Sequence, residues 1–152
     1  MGVSRPVILL LSGPNLNLLG EREPEIYGHE SLLDHVASAR ERAQSRGFDL
    51  EHMQSNHEGA LIDAVHSARK RVVAIVINPG ALTHYSWSLH DALVTYDGPI
   101  IELHLSNPKE REPWRHISVV EPLAIASIVG KGAAGYPEAI DTAIDAYQEK
   151  NG

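Results

Sequence analysis

Val72-Val73-Ala74-Ile75-Val76-Ile77 places six apolar residues in succession, with no polar residue among them. A strand with one wet face alternates polar with apolar side chains, so an unbroken run of this kind must be covered on both faces, as in a parallel sheet. Pro6 to Leu11 repeats the pattern and is ended by Ser12-Gly13-Pro14, which marks it as the first and central strand. Pro99 to Leu105 and Ile125 to Val129 supply two more buried strands, and Phe48 to Ser55 is a less apolar, outer one.

Helical stripes fill the intervals. Ser31 with Asp34 three residues on is a capping-box signature; Leu32, Val36, Ala39 and Ala43 then share one face until Gly47 stops the helix. Asn56 is expected to cap a second helix that carries Leu61, Val65 and Ala68. Ser86 to Tyr96 carries Leu89, Ala92, Leu93 and Tyr96 at helical intervals, and Pro137 opens a last helix with Ile140, Ala143, Ile144 and Tyr147 inward. Five strands alternating with helices argue for an α/β fold with helices on both sides of a parallel sheet, and right-handed crossovers leave few topologies. The expected architecture is a flavodoxin-like three-layer sandwich, strand order 2-1-3-4-5. No composition shift divides the chain, so residues 1–152 are expected to form a single domain.

Two connections are too long for simple turns. Ser12 to Glu30 holds nineteen residues where a strand-to-helix loop usually has about 2 to 6, so it is expected to be a lid. Ser106 to Arg115 forms a second long segment after the fourth strand. Both leave the carboxyl ends of central strands, where open α/β sheets bind their ligands.

Charge and composition narrow the chemistry. A formal charge of −7 argues against a sequence-independent grip on nucleic acid, while leaving room for a local anion pocket. There is no apolar run of the roughly 18 residues a membrane span needs and no signal-peptide layout, so a soluble, cytoplasmic protein is expected. With no cysteine there is no thiolate nucleophile or ligand, and the nine histidines show no zinc-type spacing; no metal or other cofactor is expected. Gly130-Lys131-Gly132-Ala133-Ala134-Gly135 has the form of a dinucleotide fingerprint, but no second strand with an acidic residue follows, which leaves a tight strand-to-helix connection. Ser12 lacks the nucleophile elbow a serine triad requires.

What remains is a cluster suited to proton transfer. Arg22 and Tyr27 lie five residues apart in the first loop, where a guanidinium can support a phenolate acting as a base. Glu102 and His104 are two apart on a strand and project to one face, so the carboxylate can fix the imidazole's tautomer. The Ser106-Asn107 turn offers amides and a hydroxyl to a carboxylate, and Asn78-Pro79-Gly80 ends the third strand before a helix N-terminus.

In this order these residues resemble the type II 3-dehydroquinate dehydratases. The matching motifs are Gly13-Pro14-Asn15-Leu16, Arg22-Glu23-Pro24 with Ile26-Tyr27-Gly28, and Gln54-Ser55-Asn56-His57-Glu58-Gly59. Further along stand Asn78 to His84, His90-Asp91-Ala92, Glu102 to Asn107, Arg111-Glu112 with Trp114-Arg115, and the glycine-rich Gly130 to Tyr136. The resemblance implies reversible anti loss of water from 3-dehydroquinate through an enolate, giving 3-dehydroshikimate in the shikimate or quinate route, without metal or Schiff base. It implies Tyr27 as the base, Arg22 as the cation beside it, Asn15 as holder of a water at the enolate oxygen, and His104, oriented by Glu102, as the proton donor. It also implies that Asn78, Leu105 and Ser106 hold the substrate carboxylate, that His84 and Arg115 contact ring hydroxyls, and that Asp91 reaches a neighbouring subunit's site. Four trimers assembled as a dodecamer are the expected oligomer. Pro108-Lys109-Glu110 stands where the family usually has an aliphatic residue, a histidine and a small residue, and His116-Ile117 replaces the commoner basic pair before Ser118. The rival readings are a small-carboxylate binding protein on the same fold, without catalysis, and a purely structural subunit.

Overall fold

In the computed structural model, which describes residues 4–151, ten elements follow one another: β1 (Val7–Ser12), α1 (Pro24–Tyr27), α2 (Leu32–Ser45), β2 (Asp49–Gln54), α3 (Glu58–Ala68), β3 (Ala74–Asn78), α4 (Trp87–Val94), β4 (Ile100–His104), β5 (Ala126–Val129) and α5 (Gly135–Asn151). The strands form one parallel sheet in the order β2-β1-β3-β4-β5, which is the expected flavodoxin-like order.

Alternate side chains of the central strands β1, β3 and β4 enter opposite cores. Ile8, Leu10, Val76, Ile101 and Leu103 face α2 and α5 on one side; Leu9, Leu11, Ile75 and Ile77 face α3 and α4 on the other. Leu10, Leu11, Ile75 and Ile77 are completely buried, and each such side chain contributes about 1.5–3 kcal/mol by leaving water. The unbroken apolar runs thus have their cause in two cores rather than one.

Local chemistry sets the helix ends. The Asp34 N–H donates to Ser31 Oγ at 3.2 Å, while the Ser31 N–H donates to Asp34 Oδ2 at 2.9 Å, completing the capping box of α2. Its end is set by Gly47, whose φ of 87° lies in the left-handed region that glycine enters without strain. Asn56 does not cap α3. The capping position is His57, with no side-chain bond, because the Asn56 amide oxygen is already used: it accepts from the Asn15 N–H at 2.9 Å and from Gln54 Nε2 at 3.1 Å. Helix α5 starts two residues before Pro137, the proline falling in its first turn where no N–H is needed.

Register aligns the strand ends. Ser12 pairs with Gln54 on one side and Asn78 on the other, and Ile77 pairs with Glu102, so Asn78 and His104 emerge along one rim. At that rim the turn after β1 and the turn after β3 interlock: the Gly13 N–H donates to the Asn78 carbonyl at 2.8 Å, and a Cβ on Gly13 would stand 2.4 Å from the Pro79 oxygen. The first long loop is folded, with a 3-10 turn over Leu16–Leu18 that buries Leu16, and with α1.

Candidate active site

A cleft opens where β1, β3 and β4 end. It is lined by Asn15, Arg22 and Tyr27 from the first loop, Asn78 and His84 from β3 and the turn after it, and His104, Leu105 and Ser106 from β4 and its exit. Arg111 and Arg115, from the second loop, close the other wall. Of the residues singled out in the sequence, Glu102 lies just behind His104 and Asp91 lies elsewhere, exposed on α4.

Tyr27 ends α1, a four-residue helix opened by Pro24 and closed by Gly28. Glu23, before it, holds φ at 38°, an uncommon conformation for a residue with a Cβ. Two cations flank the phenol. Arg111 Nη1 donates to the Tyr27 hydroxyl at 2.9 Å and to Ser106 Oγ at 3.3 Å. The Arg22 guanidinium lies 4.9 Å from the ring centroid and makes a 3.7 Å ion pair with Glu23. Thus the cation bonded to the phenol oxygen is Arg111, while Arg22 covers the ring. Arg111 stands 84 positions from Tyr27, and only the Arg111-Glu112 motif signalled it.

His104 faces the cleft from the opposite side. Its Nε2–H donates to Glu102 Oε2 at 2.6 Å, which leaves Nδ1 as the nitrogen available to a ligand. Glu102 is 2% exposed and accepts from two hydroxyls besides, Thr83 Oγ1 at 2.6 Å and Ser118 Oγ at 2.9 Å. Burial pushes its carboxyl up, but the His104 imidazole and the two hydroxyls outweigh burial and hold it below its ordinary value. No local pattern in the sequence links Thr83 or Ser118 to β4.

The remaining polar groups are oriented by the backbone. Asn78 Oδ1 accepts from the Gly80 N–H at 3.1 Å, which turns its amide nitrogen away from that turn. His84 Nδ1 donates to the Ile117 carbonyl at 2.7 Å, so a neutral His84 presents Nε2 as an acceptor. Burial moves His84 downward, favouring that neutral form. The glycine-rich turn after β5 grips the exit of β4, the Gly130 N–H on the Ser106 carbonyl and the Gly132 N–H on the Leu105 carbonyl, both at 3.1 Å. Arg115 stacks 4.0 Å over the Trp114 ring and pairs with Glu112. A phenol flanked by two cations, an imidazole backed by a carboxylate, and further cations and amides around one small cleft can move a proton while holding an anionic, hydroxylated molecule.

Residues 6–144 match the family model described as Dehydroquinase class II. The chain is 49% identical over 146 residues to the 3-dehydroquinate dehydratase 2 of Pseudomonas putida, covering 96% of this chain and 98% of that one. It is 52% identical to the catabolic 3-dehydroquinase of Penicillium rubens, covering 94% and 92%. The crystal structure of type II dehydroquinase from Butyrivibrio crossotus superposes with a TM-score of 0.90 at 47% identity, covering 93% of this chain and 99% of that one.

Proposed function

Because the chain belongs to the class II dehydroquinase family, we propose that it catalyses the reversible anti dehydration of 3-dehydroquinate to 3-dehydroshikimate through an enolate, in the shikimate or quinate route. The observation that carries this is the placement of Tyr27, its hydroxyl bonded to Arg111 and its ring covered by Arg22, in the cleft that His104, backed by Glu102, also lines.

Tyr27, as phenolate, takes the proton from the carbon alpha to the ketone, and the adjacent guanidiniums stabilise the negative charge it carries beforehand. The electron pair moves to the carbonyl oxygen, where Asn15 and a water it holds provide hydrogen bonds worth about 3–4 kcal/mol to the developing charge. His104 then protonates the departing hydroxyl, with Glu102 fixing the imidazole. Asn78 with the backbone at Leu105 and Ser106 receives the substrate carboxylate, and His84 Nε2 and Arg115 meet ring hydroxyls. No metal or other cofactor has a part in this scheme. Residues 1–152 act as one catalytic domain.

Asp91 is exposed on α4 and outside the cleft of its own chain. Its assigned role therefore requires a neighbouring subunit, which accords with trimers assembled into a dodecamer. Among the described residues no helix is long and apolar enough to cross a membrane, and a cytoplasmic location is part of the proposal.

The test is the absorbance of the conjugated enone product when purified protein meets 3-dehydroquinate. A saturable rise without added metal supports the reading; no rise, with ligand binding intact, favours a small-carboxylate binding protein.

A further inference from the structure

We infer that Thr83 and Ser118 are positioning residues that hold Glu102 as the carboxylate His104 needs, so that the connection between β4 and β5, which carries Ser118 just beyond the second long segment, decides whether the proton donor is ready. The inference rests on the reading of His104 as the group that protonates the departing hydroxyl.

Glu102 and Thr83 are almost wholly buried, so the carboxylate must be matched by protein donors rather than water. Three donors meet it: the His104 imidazole, Thr83 and Ser118. The Ser118 proton is committed to Glu102, because Ser118 Oγ already accepts from the N–H of Val120 at 3.2 Å and of Glu121 at 3.0 Å. Thr83 Oγ1 lies 2.8 Å from Ser118 Oγ, so the two hydroxyls form one bracket around the carboxylate. Both line an adjoining pocket of about 150 Å³ that shares His84, His104 and Arg115 with the substrate cleft, and neither lines the cleft itself, so they act through Glu102. The loop is seated by the same turn: the Val119 N–H donates to the Thr83 carbonyl at 2.7 Å, and His84 holds the Ile117 carbonyl.

In the step itself the C–O bond breaks, its electron pair goes to oxygen, and the His104 Nδ1 proton follows, leaving water and a neutral imidazole still bonded to Glu102. Glu102 stays ionised throughout. If one hydroxyl is lost, burial favours the neutral acid, and a protonated Glu102 no longer stabilises charge on His104. The other charged or titratable groups around the pair are His84 and Arg115, with Lys109, His116 and Glu121 on the adjoining pocket.

The test is the pH profile of kcat for Thr83→Val and Ser118→Ala, with Thr83→Ser and Ser118→Thr as variants that keep the hydroxyl. The two deletions are expected to move the acid limb upward by about one to two pH units, with KM within about twofold and the hydroxyl-retaining variants near wild type. An unmoved acid limb, a uniform loss at every pH, or an effect on KM alone would overturn the inference. Ser118 lies in a loop, so Ser118→Ala decides the matter even if Thr83→Val does not fold. Glu102→Gln separates the two levels. Its inactivity beside unchanged profiles of Thr83→Val and Ser118→Ala defeats only the inference, whereas its normal turnover defeats the reading of the proton donor.

Discussion

Arg111 Nη1 donates to the Tyr27 hydroxyl at 2.9 Å, joining the first long loop to the second at the wall of the cleft that both line. The phenol and the cation bonded to it, which we propose as base and supporting charge, are therefore brought together by tertiary structure. Neither loop alone contains both.

Removal of that cation should cost more than removal of the one over the ring. Arg111→Met is expected to lower kcat by about 10- to 100-fold, the range for a hydrogen bond to a charged group. Arg22→Met, which removes a contact with the ring face rather than the oxygen, is expected to lose less. Steady-state rates at one pH compare the two, and equal losses would put Arg22 on the oxygen in the working enzyme.

Crowding at the rim gives a second expectation. A Cβ at Gly13 would meet the Pro79 oxygen at 2.4 Å, so Gly13→Ala must push apart the turns that follow β1 and β3. A destabilisation of about 1–3 kcal/mol is expected, together with a raised KM because Asn78 moves with its turn. Denaturant unfolding and kinetics on the same sample check both.

His35 gives the pH dependence of stability. It is 2% exposed and stacked on Tyr136 with ring centroids 4.6 Å apart, and burial holds it below its usual value of 6.5. The folded state thus binds the proton less readily than the unfolded one, so the stability His35 contributes is complete above about pH 6.5 and falls as the pH drops below it. Thermal midpoints between pH 8 and pH 5 should decline on the acid side, and His35→Phe should flatten the decline. A midpoint that rises on acidification would contradict this.

The strands were legible because two cores leave a chemical mark: Leu10 and Leu11 face opposite layers, so neither position tolerates a polar residue. Glu102 with His104 was legible for a related reason, since residues two apart on a strand share a face. Asn56 misled, because a residue suited to a helix cap had been claimed by the Asn15 N–H of another loop. Arg111, Thr83 and Ser118 stayed hidden as partners for the same physical reason: their bonds run between segments brought together only by folding, and no local pattern encodes such a bond.

The most direct measurement follows enone absorbance with 3-dehydroquinate for the wild type and Tyr27→Phe, beside calorimetric titration of both with a quinate-like ligand. Loss of the phenol oxygen should reduce turnover by at least about 10²-fold while ligand affinity stays within a few-fold. Near-normal turnover from Tyr27→Phe would remove the phenol from the role of base and contradict the proposed mechanism at its centre.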